Sequence, residues 1–188
     1  ANSHAEGAGA YANTYCHAEG DTTSAYLTAD HAEGSRTVAS AGGAHAEGSG
    51  TSAFGTLSHA EGYGTKTNGW YSHTEGATTY ATGVASHAEG AATSAIKNGS
   101  HAEGQMTITD TEYQHVEGNF NAPATGAIHV IGNGTAASAR SNIVETYSGH
   151  VVVNGPIVST NLPVPPTANG TYTLKVTVTG GVYTYSWN

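Results

Sequence analysis

Polar and small apolar residues alternate along this chain in a unit of fourteen residues. The unit reads His-Ala-Glu-Gly-x-x-Thr-x-Ala-x-x-x-x-Ser, and it contains two short alternating stretches, Ser-His-Ala-Glu-Gly and Thr-x-Ala. Alternation over a few residues is typical of β-strands, and the spacing of an amphipathic helix is absent. Gly closes the first stretch, and a variable stretch rich in Gly and Asn follows the second, as turns require. We therefore predict that each unit forms one flat coil of two short strands.

The histidines set the register of the repeat. The first interval between them is thirteen residues and every later one is fourteen, and a Glu follows two residues after each His from Glu6 to Glu117. Ten of the eleven histidines belong to this column: His4, His17, His31, His45, His59, His73, His87, His101, His115 and His129. Such regularity indicates one repeated supersecondary unit that is stacked many times.

The repeats contain too few large apolar residues for an ordinary core. The first 120 residues hold ten residues of Val, Leu, Ile, Met or Phe. At ~1.5–3 kcal/mol each, these cannot offset roughly 1–2 kcal/mol of backbone entropy per residue. Stacked coils supply the missing stabilisation through backbone ladders and contacts between chains. The fold class is therefore predicted to be all-β, a β-solenoid of coils ~4.8 Å apart, with Ala, Ser and Gly inside.

A second column consists of Thr, with Ala two residues later. The Thr column contains Thr23, Thr37, Thr51, Thr65, Thr79, Thr93, Thr107 and, after a gap, Thr135; Ala137 follows Thr135 at the Ala position. A flat Thr array on a solenoid would suggest ice binding. The partner column is Ala and not Thr, which makes ice binding a remote alternative, and Thr is also a good strand residue.

His and Glu lie two residues apart, so both are expected on the face of the strand opposite Ala. Ile131 stands in the Glu column and Ile143 in the His column, which indicates that this face accepts large apolar groups. We therefore expect it to be a subunit interface. The residues assigned to this interface, here called the His–Glu ladder, are His17, Glu19, His31, Glu33, His45, Glu47, His59, Glu61, His73, Glu75, His87, Glu89, His101, Glu103, His115, Glu117, Ile131 and Ile143.

The ladder residues allow three kinds of chemistry. The favoured interpretation is a hydrogen-bonded polar ladder at the subunit interface, with His donating to Glu within or between chains, and with no metal ion and no cofactor. Three histidines that meet on a threefold axis could instead bind a transition metal, because imidazole suits Zn, Ni, Cu or Fe. A catalytic His/Glu pair is disfavoured, because an active site needs one specialised environment and the copies are nearly identical. The protein is therefore expected not to be an enzyme, and no catalytic residue is assigned.

The wording Ser-His-Ala-Glu-Gly resembles repeats in tail-fibre and minor structural proteins of phages and prophages of Gram-positive bacteria. The stretch "QHVEGNFNAPATGAIHVIGNGTAASARSN", from Gln114 to Asn142, looks like the end of the repeat array in those proteins. The fourteen-residue unit is also similar to the left-handed β-roll head repeats of trimeric autotransporter adhesins. The resemblance implies a parallel homotrimer located in a virion tail. The alternative that it leaves is an adhesin head on a bacterial surface, and a polysaccharide-degrading spike is a more remote one.

The last forty residues differ in character, so we expect two regions: 1–145, the repeats, and 146–188, a C-terminal β cap. The cap sequence "GTYTLKVTVTGGVYTYSW" alternates around Gly180-Gly181, which predicts a hairpin with a two-residue turn. Tyr183, Tyr185 and Trp187 would share one face of this hairpin. One hairpin is marginal alone, so we expect three chains to pack it as a trimerisation module.

Charge and exposed aromatic residues bear on the partners. The formal net charge is −9 with only five Lys or Arg, which argues against binding to nucleic acid. The sequence has no apolar run of 18 residues, so we predict no insertion into a membrane. Trp70 and Tyr71 lie in a variable stretch beside Asn68-Gly69, and they are the candidate contacts to a cell-surface glycan or protein receptor. The chain opens within a repeat and without an initiator Met, so we expect it to be part of a longer protein.

Overall fold

The computed structural model describes residues 2–155 and the backbone of residues 174–179 and 182–187. In these ranges the chain is all-β, a β-solenoid whose coils repeat every fourteen residues, as the sequence predicts. The strands are β1 (His4–Glu6), β2 (Tyr11–Ala12), β3 (His17–Asp21), β4 (Ser24–Ala25), β5 (His31–Ser35), β6 (Val38–Ala39), β7 (His45–Ser49), β8 (Ser52–Ala53), β9 (His59–Tyr63), β10 (Lys66–Thr67), β11 (His73–Thr74), β12 (Tyr80–Ala81), β13 (His87–Ala88), β14 (Ser94–Ala95), β15 (His101–Ala102), β16 (His115–Asn119), β17 (His129–Asn133), β18 (Asn142–Tyr147), β19 (His150–Val153), β20 (Leu174–Thr179) and β21 (Val182–Trp187).

Two sheets form the walls of the coils. A 12-stranded sheet contains the His-Ala-Glu-Gly strands in the order β1-β3-β5-β7-β9-β11-β13-β15-β16-β17, followed by β18 and β19. From β1 to β17 its strands are parallel and in register, so that each His pairs with the next His and each Ala with the next. The second sheet has seven strands, the even-numbered strands from β2 to β14. Most of them contain the last two residues of a Thr-x-Ala segment.

The interior consists of stacked small residues. The Ala of His-Ala-Glu-Gly is buried in the central coils, with Thr74, Val116 and Val130 as its larger variants, and the Ala of Thr-x-Ala is buried as well. The Thr column also points inward, because Thr23, Thr37, Thr51, Thr65, Thr79, Thr93 and Thr107 are at most 1% exposed. The hydroxyl array that ice binding would need therefore lies inside the coils. Thr135 and Ala137 are exposed and do not continue the two columns, so that assignment is wrong.

The Gly of each His-Ala-Glu-Gly motif permits close stacking of the coils. Gly76 has φ +97°, and a Cβ added there would overlap the carbonyl oxygen of Gly90 in the next coil. That carbonyl accepts a hydrogen bond of 2.8 Å from the N–H of Ala77. Because an L side chain rarely adopts this φ and here also has no space, the motif requires Gly on both counts.

Two buried polar side chains larger than Ser, Asp30 and Gln114, occupy the place before His in their coils. Asp30, which is 1% exposed, takes the place before His31, and its carboxylate accepts hydrogen bonds from the N–H groups of Leu27, Ala41 and Ala44 at 2.8, 3.2 and 3.0 Å. Gln114 holds the equivalent place before His115. It accepts a hydrogen bond from the N–H of Asp110 and donates to the carbonyl groups of Ala124 and Ala127. Both side chains thus connect turns of adjacent coils.

The chain reverses direction at the end of the stack. Strand β18 is antiparallel to β17, so that Thr146 lies opposite His129 and Val144 opposite Ile131. The predicted register for Ile143 in the His column is therefore wrong, although Ile131 does follow Glu117 in the Glu column. An antiparallel bridge between Ala136 and Ala139 turns the chain. Within the same segment, Nη1 of Arg140 donates to the carbonyl groups of Met106 and Asn121 and ties it to two coils.

Strands β20 and β21 form the predicted antiparallel hairpin, with Leu174 opposite Trp187 and Thr179 opposite Val182. The predicted turn at Gly180-Gly181 and the shared face of the aromatic residues lie outside the described residues. The compact unit that contains the coils ends at Asn154, and the hairpin belongs to a second unit. Strand β18 crosses residue 145, where the sequence analysis placed the boundary.

Candidate functional site

The most regular surface of the described chain is the His–Glu ladder. Because the strands pair in register, the imidazole rings stack along the sheet with centroids 4.5–5.1 Å apart from His4 to His129. Between His31 and His115 neighbouring rings are within 14° of parallel. The histidine side chains of the ladder from His31 to His129 are 34–41% exposed in the isolated chain. The ladder is therefore half-buried by itself and accessible on its outer side.

The partner of each imidazole changes along the ladder. At the amino-terminal end Nε2 lies nearest to the Glu of its own coil, at 3.3 Å for His4–Glu6 and 3.7 Å for His45–Glu47. From His59 onward Nε2 lies nearest to the Glu of the preceding coil. The distance shortens to 2.9 Å for His115–Glu103. Contacts between His and the Glu of an adjacent coil thus occur only in the second half of the ladder.

The central coils leave imidazole nitrogens without hydrogen bonds. The Nε2 atoms of His31, His45, His59, His73 and His87 are shielded from solvent, and no group in the described part of the chain forms a hydrogen bond with them. Their nearest carboxylate oxygens lie 3.4–3.9 Å away. Most of these separations are too long for a good hydrogen bond, whose donor–acceptor distance is about 2.7–3.2 Å. The polar ladder that the sequence predicts is therefore hydrogen-bonded at its carboxy-terminal end and unsatisfied at its centre.

Burial favours neutral imidazole in the ladder. It lowers the pKa of four histidines, and neighbouring imidazoles add to the effect, since each would carry a like charge. The histidines with a lowered pKa are His31, His59, His87 and His101. In these coils Nε2 or Nδ1 thus keeps a lone pair available at neutral pH.

The carboxylates alternate in their affinity for protons. Hydrogen bonding to Glu75 raises the pKa of Glu89 to about 7, and burial adds to the rise. Hydrogen bonding to Glu89 in turn lowers the pKa of Glu75, while that of Glu61 is raised by hydrogen bonding to Glu47. Burial acts to raise the pKa of Glu103, but hydrogen bonds with His115 and Glu89 outweigh it and lower that pKa. Glu89 therefore keeps its proton to higher pH than Glu75 beside it, which reduces the repulsion between these two stacked carboxylates.

The candidate receptor contacts lie at a corner of the coil. Trp70 is 60% exposed and Tyr71 is 59% exposed, and Tyr71 has a left-handed φ of 60°. Both lie in the turn between β10 and β11. They remain candidates for stacking on a ligand.

Sequence reasoning placed the His and Glu residues and Ile131 on one face correctly, since a period of fourteen and a strand period of two determine which positions share a face; their role as a subunit interface stays a prediction. It missed the left-handed corners that each coil contains at residues other than Gly, such as Thr78 and Ala85. It also missed the change of His partner between coils, because that change depends on side-chain rotamers.

Among the residues that the structure describes, no helix is long and apolar enough to cross a membrane. Clusters of His and Glu in the ladder could hold a metal ion, as developed below. A scan against protein-family models and a search of curated proteins found no match to this chain.

Proposed function

We propose that this chain is a non-enzymatic structural segment of a trimeric phage or prophage tail fibre that contributes to attachment to the host surface. The observation that carries the proposal is the His–Glu ladder, a partly exposed face on which His recurs on ten successive strands, with a Glu two residues after each of the first nine. Parallel copies of the chain present the same groups at the same spacing, so every coil can meet its equivalents. Such a face suits association around an axis parallel to the stack.

The structure of the coils supports a role as a spacer. Each coil contacts its neighbours through backbone ladders and a core of small residues, so length is set by the number of repeats and the cross-section stays constant. A shaft that holds a receptor-binding element away from a particle needs these properties. Recognition itself would then be carried by the corners of the coils or by other parts of the fibre.

The oligomeric state tests this proposal. We expect the full chain to have a solution mass of three times 19.0 kDa by sedimentation equilibrium. Glu75→Lys places a cation in the ladder face and should dissociate the trimer, whereas Thr82→Lys, on the exposed surface after β12, should leave it intact. A wild-type chain that is monomeric at all concentrations, or equal dissociation by both variants, would overturn the proposal.

Attachment to cells tests the role of the corner residues. Trp70→Ala/Tyr71→Ala should reduce binding of a fluorescently labelled chain to host cells, because aromatic rings that stack on glycans lose their contact area. Tyr113→Ala removes another exposed ring, 75% exposed, and serves as the control. Unchanged binding by the double variant would exclude these residues as receptor contacts.

A further inference from the structure

We propose that the central coils of the His–Glu ladder bind divalent transition-metal ions of the zinc class, with ligands from successive coils of one chain. Four sets of three side chains place one donor atom each within 4.8 Å of the others. The first set has two imidazoles and one carboxylate, and the other three have one imidazole between two carboxylates. The sets are His45/Glu47/His59, Glu61/His73/Glu75, Glu75/His87/Glu89 and Glu89/His101/Glu103.

The donor separations fit a shared ion better than a direct hydrogen bond. Zinc holds nitrogen and oxygen ligands at about 2.0–2.2 Å, which places tetrahedral ligands about 3.3–3.6 Å apart. Nε2 of His73 lies 3.4 Å from Oε1 of Glu61, and Nε2 of His45 lies 3.7 Å from Oε2 of Glu47. Small rotations of these side chains therefore bring three ligands onto one ion without displacement of the backbone.

An independent observation points to the same coils. The Nε2 atoms of His45, His59, His73 and His87 are shielded from solvent, and the described residues offer them no hydrogen bond. A buried polar atom without a partner costs stability, and ions in the first and second sets would satisfy Nε2 of His45, His59 and His73. By contrast, His115 and His129 make hydrogen bonds of 2.9 and 3.1 Å to Glu residues, and they belong to none of the four sets. In the fourth set, Nε2 of His101 lies 3.2 Å from Oε1 of Glu89, so an ion there replaces a hydrogen bond.

The charges also agree with a cation. The ladder stacks carboxylates from coil to coil, and a divalent ion between two of them neutralises both. The chain has a formal net charge of −9, which favours the approach of a cation. This site needs only one chain and does not depend on the proposed fibre function.

Shared ligands determine how many ions one chain binds. Glu75 belongs to the second and third sets, and Glu89 belongs to the third and fourth. An ion in the third set would take a ligand from both neighbours and would lie one coil, ~4.8 Å, from other dications. The first, second and fourth sets share no residue, so we expect three ions per chain.

Zinc titration of the full chain tests this number. The protein is freed of metal by a chelator, dialysed, and titrated with Zn²⁺ in a calorimeter at neutral pH. Co²⁺ replaces Zn²⁺ in a second titration, in which its visible absorption reports tetrahedral binding. The expected result is saturation at three ions per chain. Absence of saturable binding, or continued weak uptake without a defined number, would overturn the proposal.

Two matched variants separate defined sites from general attraction to a polar face. His73→Gln removes the second set and should reduce the number of bound ions from three to two. His87→Gln, one coil further, removes only the third set and should leave the number at three. Glu61→Gln repeats the first test without loss of a stacked ring, so a folding defect in His73→Gln would not conceal the outcome. An equal reduction by Glu61→Gln and His87→Gln would overturn the proposal.

Discussion

The close stacking of the motif glycines makes a quantitative prediction for Gly76→Ala. An Ala at position 76 must adopt a φ near +97°, and its methyl group would overlap the carbonyl oxygen of Gly90. Gly126 has a similar φ of +85°, but a Cβ there would have no atom within 4 Å. The pair of substitutions therefore has the same backbone strain, and only Gly76→Ala adds a collision between coils.

The expected free-energy losses follow from these two contributions. A left-handed conformation costs an L residue about 1–2 kcal/mol, and this cost is common to both variants. The overlap at Gly76 adds about 1–3 kcal/mol of overpacking. Displacement of the Gly90 carbonyl also weakens its hydrogen bond from Ala77, worth about 0.5–1.5 kcal/mol. We expect Gly76→Ala to destabilise the chain by roughly 2–4 kcal/mol more than Gly126→Ala.

Unfolding by guanidinium, followed by far-ultraviolet circular dichroism at one chain concentration, measures this difference. Fixed concentration matters, because association of chains shifts apparent stability. In a thermal scan, a chain of this size changes its midpoint by about 2–4 °C per kcal/mol, so the two variants should melt at clearly different temperatures. Equal losses in the two variants would show that the motif Gly is needed for its φ alone and would refute the collision between coils.

Three further predictions concern other parts of the stack. Thr79→Val should stabilise the chain by about 1 kcal/mol, because it removes a buried hydroxyl with no partner among the described residues. Thr109→Val should destabilise it, because the Thr109 hydroxyl accepts a hydrogen bond from the N–H of Ile96. Denaturant unfolding measures the free energy of both variants, and a loss of stability in Thr79→Val would contradict the prediction. In metal-free protein, Glu89→Gln should match wild type at pH 4 and exceed its melting temperature at pH 8. The pKa of Glu89 is raised in the folded chain from its ordinary value of 4.5 to about 7. The protonated carboxyl group therefore contributes its full stability below pH 4.5, and this stability is lost as the pH rises through 7. Glu19→Gln, at a carboxylate 52% exposed, is the matched control. Arg140→Met should release the segment after β17, seen as faster amide exchange there, and unchanged exchange would contradict the role given to its two hydrogen bonds.

The fold could be predicted from the sequence because one period governs it. Fourteen residues per coil and alternation within strands placed the His, Glu and Ala columns on their correct faces. The same alternation orients the Thr column inward, because most of its members lie two residues before a buried Ala, although Thr by itself suits either face of a strand. The reversal at β18 was beyond the pattern, because Ile143 keeps the spacing of the repeat. The direction of that strand is set by the turn at Ala136–Ala139 and by the contacts of Arg140, which no period encodes.

The candidate site could likewise be predicted only in part from the sequence. The sequence brought the His and Glu residues onto one face, and it allowed a metal only through three chains on an axis. The structure shows that an imidazole nitrogen and carboxylate oxygens from the same coil and one adjacent coil already converge within one chain. That convergence depends on distances of a few tenths of an ångström, which rotamers determine.

The buried carboxylate of Asp30 has a consequence for assembly of the coils. Nearly identical repeats can pair with the wrong neighbour, because a slip of one whole coil would restore almost every backbone bond and every Ala contact. Asp30 receives one N–H from Leu27 in its own turn and two from Ala41 and Ala44 in the next turn. An alignment that loses a donor of the next turn leaves part of a buried carboxylate unsatisfied, at a cost of about 1–3 kcal/mol. Asp30 near one end and Gln114 near the other thus favour the alignment in which both side chains keep their partners.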